Sequence, residues 1–478
     1  MICQNKNKPF QNLVNNMRIS TLFLFFLTLF MSCGQPEKQI FKSHGNVDYP
    51  LSASDELMLD TIQKKTFQFF VNEHHPEWGI VKDRASEWAP SSIASTGFAI
   101  PVFAVGIERN WIEREDAAKI VMNILEFFYN APQSADTNAT GYKGFFYHFL
   151  RMNSGTREWK CELSSIDTGI LMMGIIFARN YFNIDNITET QIRLYADKLL
   201  EGMDWSIFAM PAESRHPYTI SMGWSPEEGR TDWGWYGYNE GLFLYTLAAG
   251  TGMEDIEKSY NAWLSSYKWQ TPYEGYSHVV FPPLFGHQFS HAFIDYRGLV
   301  DPYMKEKGID YFENSRRATY VQRLYAMDNP YGWKGYDSLC WGITASDGPT
   351  EKYNANGRKF LGYAGRGTSG PDFNYFDDGT IAPYASLSSL PFAPEIVLPT
   401  IKAINKRYGS KIWGKYGYYD AFNPTANWVN DDFLGIAEGP MIIMIENFRS
   451  GLVWNYVMKD RIIQKGLKKL GYESLTEK

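Results

Sequence analysis

Twelve segments of this 478-residue chain carry helical periodicity, and they are of two kinds that alternate. Segments 91–107, 164–178, 238–250 and 433–445 are nearly free of charge. Segments 113–129, 188–202 and 309–328 carry charge on one face; the second holds Glu189, Arg193, Asp197, Lys198 and Glu201. A helix apolar all round belongs in an interior, and one with a single apolar stripe packs outside it. Adding 54–73, 256–268, 284–298, 384–390 and 391–408 gives outer and inner helices in turn, about six times over. The expected fold is therefore all-α: an (α/α)6 toroid of two concentric helical rings.

The links between segments alternate too. Those leaving the inner helices are short, at 183–187, 251–255 and 299–308. Those entering them are long and aromatic, at 130–163, 203–237, 269–283, 329–383 and 409–432. Every long loop then opens on one face, at the N-termini of the inner helices, where function on a rigid scaffold usually sits. Short hairpins are expected around Gly144–Phe149 and Ser277–Phe281. No repeat of 20–50 residues suggests a solenoid.

Three stretches are assigned along the chain: 1–33 as an export signal, 34–52 as a polar tether, and 53–478 as one toroid domain. The apolar run Leu22–Met31 is too short to span a bilayer, follows basic residues, and ends at Ser32-Cys33. That pattern is similar to a bacterial lipoprotein signal, with Cys33 as the lipidated first residue of an outer-membrane-anchored, exported protein; a plain cleaved signal is the alternative. After Cys33 only Cys161 and Cys340 remain, which is no disulfide framework. A net charge of -7 argues against nucleic acid as a partner. A monomer is expected.

Few carboxylates fall at the mouths of the inner helices. Glu240 sits in Tyr-Asn-Glu-Gly, where an uncharged helix meets a wall of aromatic rings. Burial there raises a carboxyl pKa and suits a general acid. The plain alternative is a first-turn Glu that complements the helix dipole, with Asn239 as cap. Asp167 follows Ser164 at capping-box spacing, so it is a cap, a catalytic group, or both. Glu438 lies in Ala-Glu-Gly-Pro; Asp347, Asp378, Asp431 and Asp432 lie in the loops before inner helices. Two carboxylates across a sugar-sized cleft are what glycosidic cleavage needs.

Trp88, Trp159, Trp224, Trp233, Trp235, Trp333 and Trp428 fall in or beside the long loops. Such rings stack on the flat C–H faces of sugars, while fixed polar groups take the hydroxyls. With Tyr238, Asn239, His287, Asp347 and Asp378 they form the expected binding set; rings that merely seal the rim are the alternative. Three motifs are set aside. Gly365-Arg-Gly-Thr-Ser-Gly370 has neither the strand nor the helix of a nucleotide site. His287 and His291 have metal-ligand spacing, but Gln288 stands where a zinc protease has Glu, so no metal or cofactor is expected. No Gly-x-Ser-x-Gly elbow supports a serine hydrolase.

Six ordered segments complete the reading: 284–298, 310–315, 341–349, 377–383, 389–395 and 444–451. They resemble the bacterial glycoamylase-like family, which includes glycoside hydrolase family 144 of β-1,2-glucanases and a domain of cyclic β-1,2-glucan synthases. The resemblance runs from about Thr66 to Trp454. It implies an (α/α)6 barrel that hydrolyses β-1,2-glucan to short, sophorose-type oligosaccharides without a metal, by inversion. It implies Glu240 as general acid and Asp167 as an acidic cleft residue. Ala437-Glu438 stands where many members have Asp-Gln, which leaves the base among Asp167, Asp432, Glu438 and Asp378. Insert 350–376 is expected to cap one end of the cleft and favour exo action. The rivals are an α-glucan glucoamylase on the same barrel and a glycan-binding lipoprotein that has lost its catalytic pair.

Overall fold

The computed structural model describes residues 39–350, 354–355 and 357–475. The chain divides into two units, Met1–Ile40 and Phe41–Lys478, and the second contains all the helices of the toroid. Cys33 and the apolar run before it lie outside the described residues. Among the described residues no helix is long and apolar enough to cross a membrane.

Six outer–inner pairs succeed one another as expected. The outer helices are α1 (Ala53–Asn72), α3 (Arg114–Asn130), α5 (Ile187–Glu201), α7 (Ile256–Leu264), α10 (Tyr311–Asp328) and α12 (Pro394–Ile412). The inner ones are α2 (Ile93–Glu108), α4 (Ser165–Tyr181), α6 (Leu242–Thr251), α8 (Phe289–Phe293), α11 (Pro383–Ser388) and α13 (Gly435–Ser450). Nearly every residue of α2, α4, α6 and α13 is buried, as their lack of charge requires. The ring closes where α13 packs on α2. Helices α2 and α4 touch backbone to backbone: a Cβ on Gly97 would stand 2.6 Å from Leu171 Cα, and one on Gly174 2.2 Å from the Gly97 carbonyl oxygen.

Three boundaries depart from expectation, each through a side chain that bonds its own backbone. The helix read from 238 begins at Leu242, because Asn239 Oδ1 accepts the Gly241 N–H at 2.9 Å and holds Glu240 in the preceding turn. The helix read over 284–298 is a 3₁₀ turn, Leu284–His287, then the short α8; the Asp295 carboxylate takes the Arg297 N–H at 3.1 Å and turns the chain away. Helix α7 stops at Leu264, where the Ser265 and Ser266 hydroxyls bond back to the carbonyls of Ala262 and Trp263. Three further helices were not expected: α9 (Pro302–Lys307), inside a link read as structureless, α14 (Leu452–Val457) and α15 (Arg461–Lys469). Helix α15 covers α6, with Gly466 against the Thr246 carbonyl.

The strands are two or three residues long, antiparallel and confined to loops. Ser91–Ser92 pairs with Phe149–Leu150, and Leu163–Ser164 with Gly223–Ser225. Since Ser92 and Ser164 are the N-caps of α2 and α4, these ladders tie the long loops to the mouths of two inner helices. The segment read as a tether is docked from its middle onward. His44 N–H donates to Asp295 Oδ2 at 2.9 Å, Arg297 to the Gly45 carbonyl at 2.5 Å, and Asn46 to the Arg449 carbonyl at 3.3 Å.

Candidate active site

A cavity of about 330 Å³ opens at the N-terminal mouth of the inner ring. Its wall takes Ser92 from the start of α2, Asp167 from α4, Glu240 from before α6, Phe289 from α8, Tyr384 from α11 and Ile436 from α13. Each inner helix contributes from its first turns or from the residues just before it, as the loop alternation requires. Asp83, Arg84, His148 and Tyr363 reach in from the loops.

Glu240 is held by its backbone: the carbonyl accepts the Ser290 hydroxyl at 2.9 Å. Its Oε2 is buried without a donor among the described residues. Burial pushes its carboxyl up to about 7; a backbone hydrogen bond opposes this and the Asp167 charge adds to it. Glu240 therefore carries a proton in a range where free carboxyls have lost theirs.

Asp167 occupies the first turn of α4. Ser164 Oγ accepts its N–H at 3.2 Å and donates to its Oδ2 at 2.5 Å, so the capping reading holds. Among the described residues no donor reaches Oδ1. The cap fixes the carboxylate and leaves one oxygen for a ligand.

His148, absent from the sequence expectations, stands beside it. Its Nδ1 lies 2.9 Å from Glu162 Oε1 and its Nε2 3.7 Å from Asp167 Oδ2. His148, Glu162 and Asp167 offer ligand atoms within 4.8 Å of one another, as a cation set would. Both ring nitrogens face carboxylates, however, which is how an imidazolium bonds, and an imidazolium has no lone pair for a metal. Asp83 and Arg84 were also missed. Their signal was Lys82-Asp-Arg-Ala-Ser86 just before the charge-free segment at 91, in a sixth entry loop, 74–90.

The other predicted carboxylates are brought elsewhere. Glu438 does not line the cavity; it is buried in the first turn of α13, and burial followed by the neighbouring Asp420 raises its carboxyl well above the usual range. Asp432 Oδ2 accepts the Ser86 hydroxyl at 2.7 Å and lies 3.7 Å from Arg84. Asp347 is bonded by Arg84 at 3.0 Å and Asn430 at 2.9 Å, and its N–H donates to Asp420 Oδ2 at 2.7 Å. Burial and then Asp347 push Asp420 up to about 8. Asp378 is buried in a two-pronged bond with Arg366, at 2.7 and 2.9 Å, and does not line the cavity.

The aromatic set splits likewise. Trp88 and Trp159 stand exposed at the rim, Trp88 beneath the Arg84 guanidinium and Trp159 edge-on to Phe149 of the cavity wall. Trp233 is exposed and covered by Arg215 at 3.7 Å. Trp224 and Trp428 are half-buried in short hairpins, Trp224 against Tyr142. Trp235 and Trp333 are buried and spend their indole N–H groups on Ser165 and Asp377. Tyr238 and His287 are buried against one another at 4.9 Å, behind the cavity rather than in it, and Asn239 serves the turn that holds Glu240. The His287–His291 metal spacing is broken by the bend at Gln288.

A double helical ring whose inner N-termini surround two carboxyls with unclaimed oxygens defines the class: an (α/α)6-toroid protein with an acid-lined cleft. Residues 232–461 match the glycoamylase profile, described as "Putative glucoamylase". A solved structure of that description from Bacteroides uniformis is 32% identical; the match covers 89% of this chain and 99% of that one, with a TM-score of 0.75. The chain belongs to the glycoamylase-like family. An endo-β-1,2-glucanase from Chitinophaga pinensis is 28% identical over 89% of this chain and 99% of its own, again with a TM-score of 0.75. An exo β-1,2-glucooligosaccharide sophorohydrolase (non-reducing end) from Parabacteroides distasonis is 28% identical over 456 residues, 88% of this chain. The chain spans only 58% of that relative's length.

Proposed function

We propose that this chain is a glycoside hydrolase acting on β-1,2-linked glucan and releasing short, sophorose-type oligosaccharides. The observation that carries the reading is the pair of unlike carboxyls in one cavity. Glu240 has a buried oxygen that no donor reaches among the described residues and holds its proton up to about pH 7; Asp167 is bonded by Ser164, faced by His148 and open at one oxygen. A buried carboxyl that keeps its proton, set beside a carboxyl with an open oxygen, assigns acid and base. Glu240 gives its proton to the glycosidic oxygen as the C1–O bond breaks. A water held by Asp167 Oδ1 attacks C1 and leaves its proton on that oxygen; Asp167 then releases that proton to solvent, and solvent returns one to Glu240. A water between the two carboxyls gives inversion, and the first-formed anomer, read by NMR, checks it. The named activities of the Chitinophaga and Parabacteroides relatives support the linkage.

Linear β-1,2-glucan and soluble starch, incubated side by side with the chain from Gln35 onward, test the proposal. Short β-1,2-gluco-oligosaccharides are expected. Glucose from starch alone would mean a glucoamylase, and retarded migration in a glycan gel without turnover a binding protein. We further place the protein at the outer membrane as an exported, monomeric lipoprotein, on the Ser32-Cys33 signal. Substitution of Cys33 by Ser should release it from the membrane fraction.

A further inference from the structure

The proposed reaction makes no use of His148, yet its ring is more tightly specified than any other in the cavity wall. Its N–H donates to the Glu162 carbonyl at 3.0 Å, and its carbonyl accepts the Ile93 N–H at 3.2 Å. Its imidazole stacks on Phe149 with centroids 3.9 Å apart and planes 11° from parallel. The ring is therefore fixed with one nitrogen toward Glu162 and the other toward Asp167. A neutral imidazole has one N–H and would turn a lone pair on one of those carboxylates; an imidazolium serves both. The charged groups facing the ring are Glu162 from its own hairpin, Asp167 from α4, and Asp83 from the loop after α1, with Arg84 paired to Asp83. Burial opposes the positive charge, but the three carboxylates outweigh it and push the ring up to about 9.

We propose that His148 is a positioning residue that stays protonated throughout turnover and engages Asp167 Oδ2, so that Oδ1 alone receives the proton of the attacking water. Ser164 holds the same Oδ2, so the carboxylate cannot rotate out of its plane without losing both partners. The inference rests on the reading of Asp167 as base.

Two measurements test it. In substrate-free protein, ¹⁵N NMR of the His148 ring should show both nitrogens protonated at pH 8. Glu162→Gln should shift that titration down by about one pH unit or more. In steady-state kinetics, His148→Gln should lower kcat about 100-fold with KM within about threefold, and move the low-pH limb upward. Glu162→Gln, which keeps the ring, should move both in the same sense by about tenfold. A neutral ring at pH 7 overturns the proposal, as does a His148→Gln enzyme with unchanged kcat and low-pH limb. A wild-type chain without turnover on any glucan instead overturns the reaction itself, and the NMR titration still decides the charge state.

Discussion

Asp167 and Asp378 both lie in loops entering inner helices or at their ends, both are buried, and both have a basic neighbour, yet they end in opposite states. Arg366 satisfies both oxygens of Asp378 and then donates to the carbonyls of Ser346, Leu361 and Gly362. Next to it, Asp377 takes Tyr325, Tyr336 and Trp333. At the cavity the balance is reversed: among the described residues no donor reaches Asp167 Oδ1 or Glu240 Oε2. On the proposed reading, what separates a reactive carboxylate from a structural one is a missing partner, not burial or charge.

The contrast can be broken from either side. Glu240→Gln should lower kcat by about 10³–10⁴-fold, because the leaving oxygen loses its proton source. Asp167→Asn should lower it by about 10²–10³-fold. Asp378→Asn should leave kcat within a few-fold but destabilise the fold by about 3 kcal/mol, since Arg366 is left buried with half a partner; calorimetry against kinetics separates the outcomes. Titration sharpens the comparison. Glu240 must be protonated to act, so kcat/KM should fall about tenfold per pH unit above about pH 7. Because its folded pKa is raised, the folded state holds this proton more tightly than the unfolded chain. The resulting destabilisation is absent below the unfolded carboxyl range, grows as pH rises, and is complete above about pH 7. Glu240→Gln should therefore be more stable than wild type by about 2 kcal/mol at pH 8, with no gain at pH 4. The smallest effect is expected at the rim, where Trp88→Ala should raise KM about threefold with kcat unchanged.

The double ring was legible because it is written in charge: a helix such as 93–108, nearly without ionic groups, has nowhere to be but inside. Glu240 and Asp167 stood out for the same reason, as rare acids at the ends of uncharged helices, but so did Glu438, and only the fold brings the first two into one cavity. What was not legible is pairing across the sequence. Nothing local marks Asp378 as the partner of Arg366, or says that Trp333 spends its N–H on Asp377 while Trp88 stands exposed. His148 escaped because its meaning lies in a short ladder to Glu162, formed by loop segments with no periodicity of their own.

The docking of residues 44–46 has a geometric consequence. Asp295 follows the end of α8 and Arg449 lies in the last turn of α13, so the chain enters at the C-terminal ends of the inner helices. The acidic mouth is at their N-terminal ends. Residues 44–46 therefore lie at the pole opposite the acidic mouth and leave that opening uncovered.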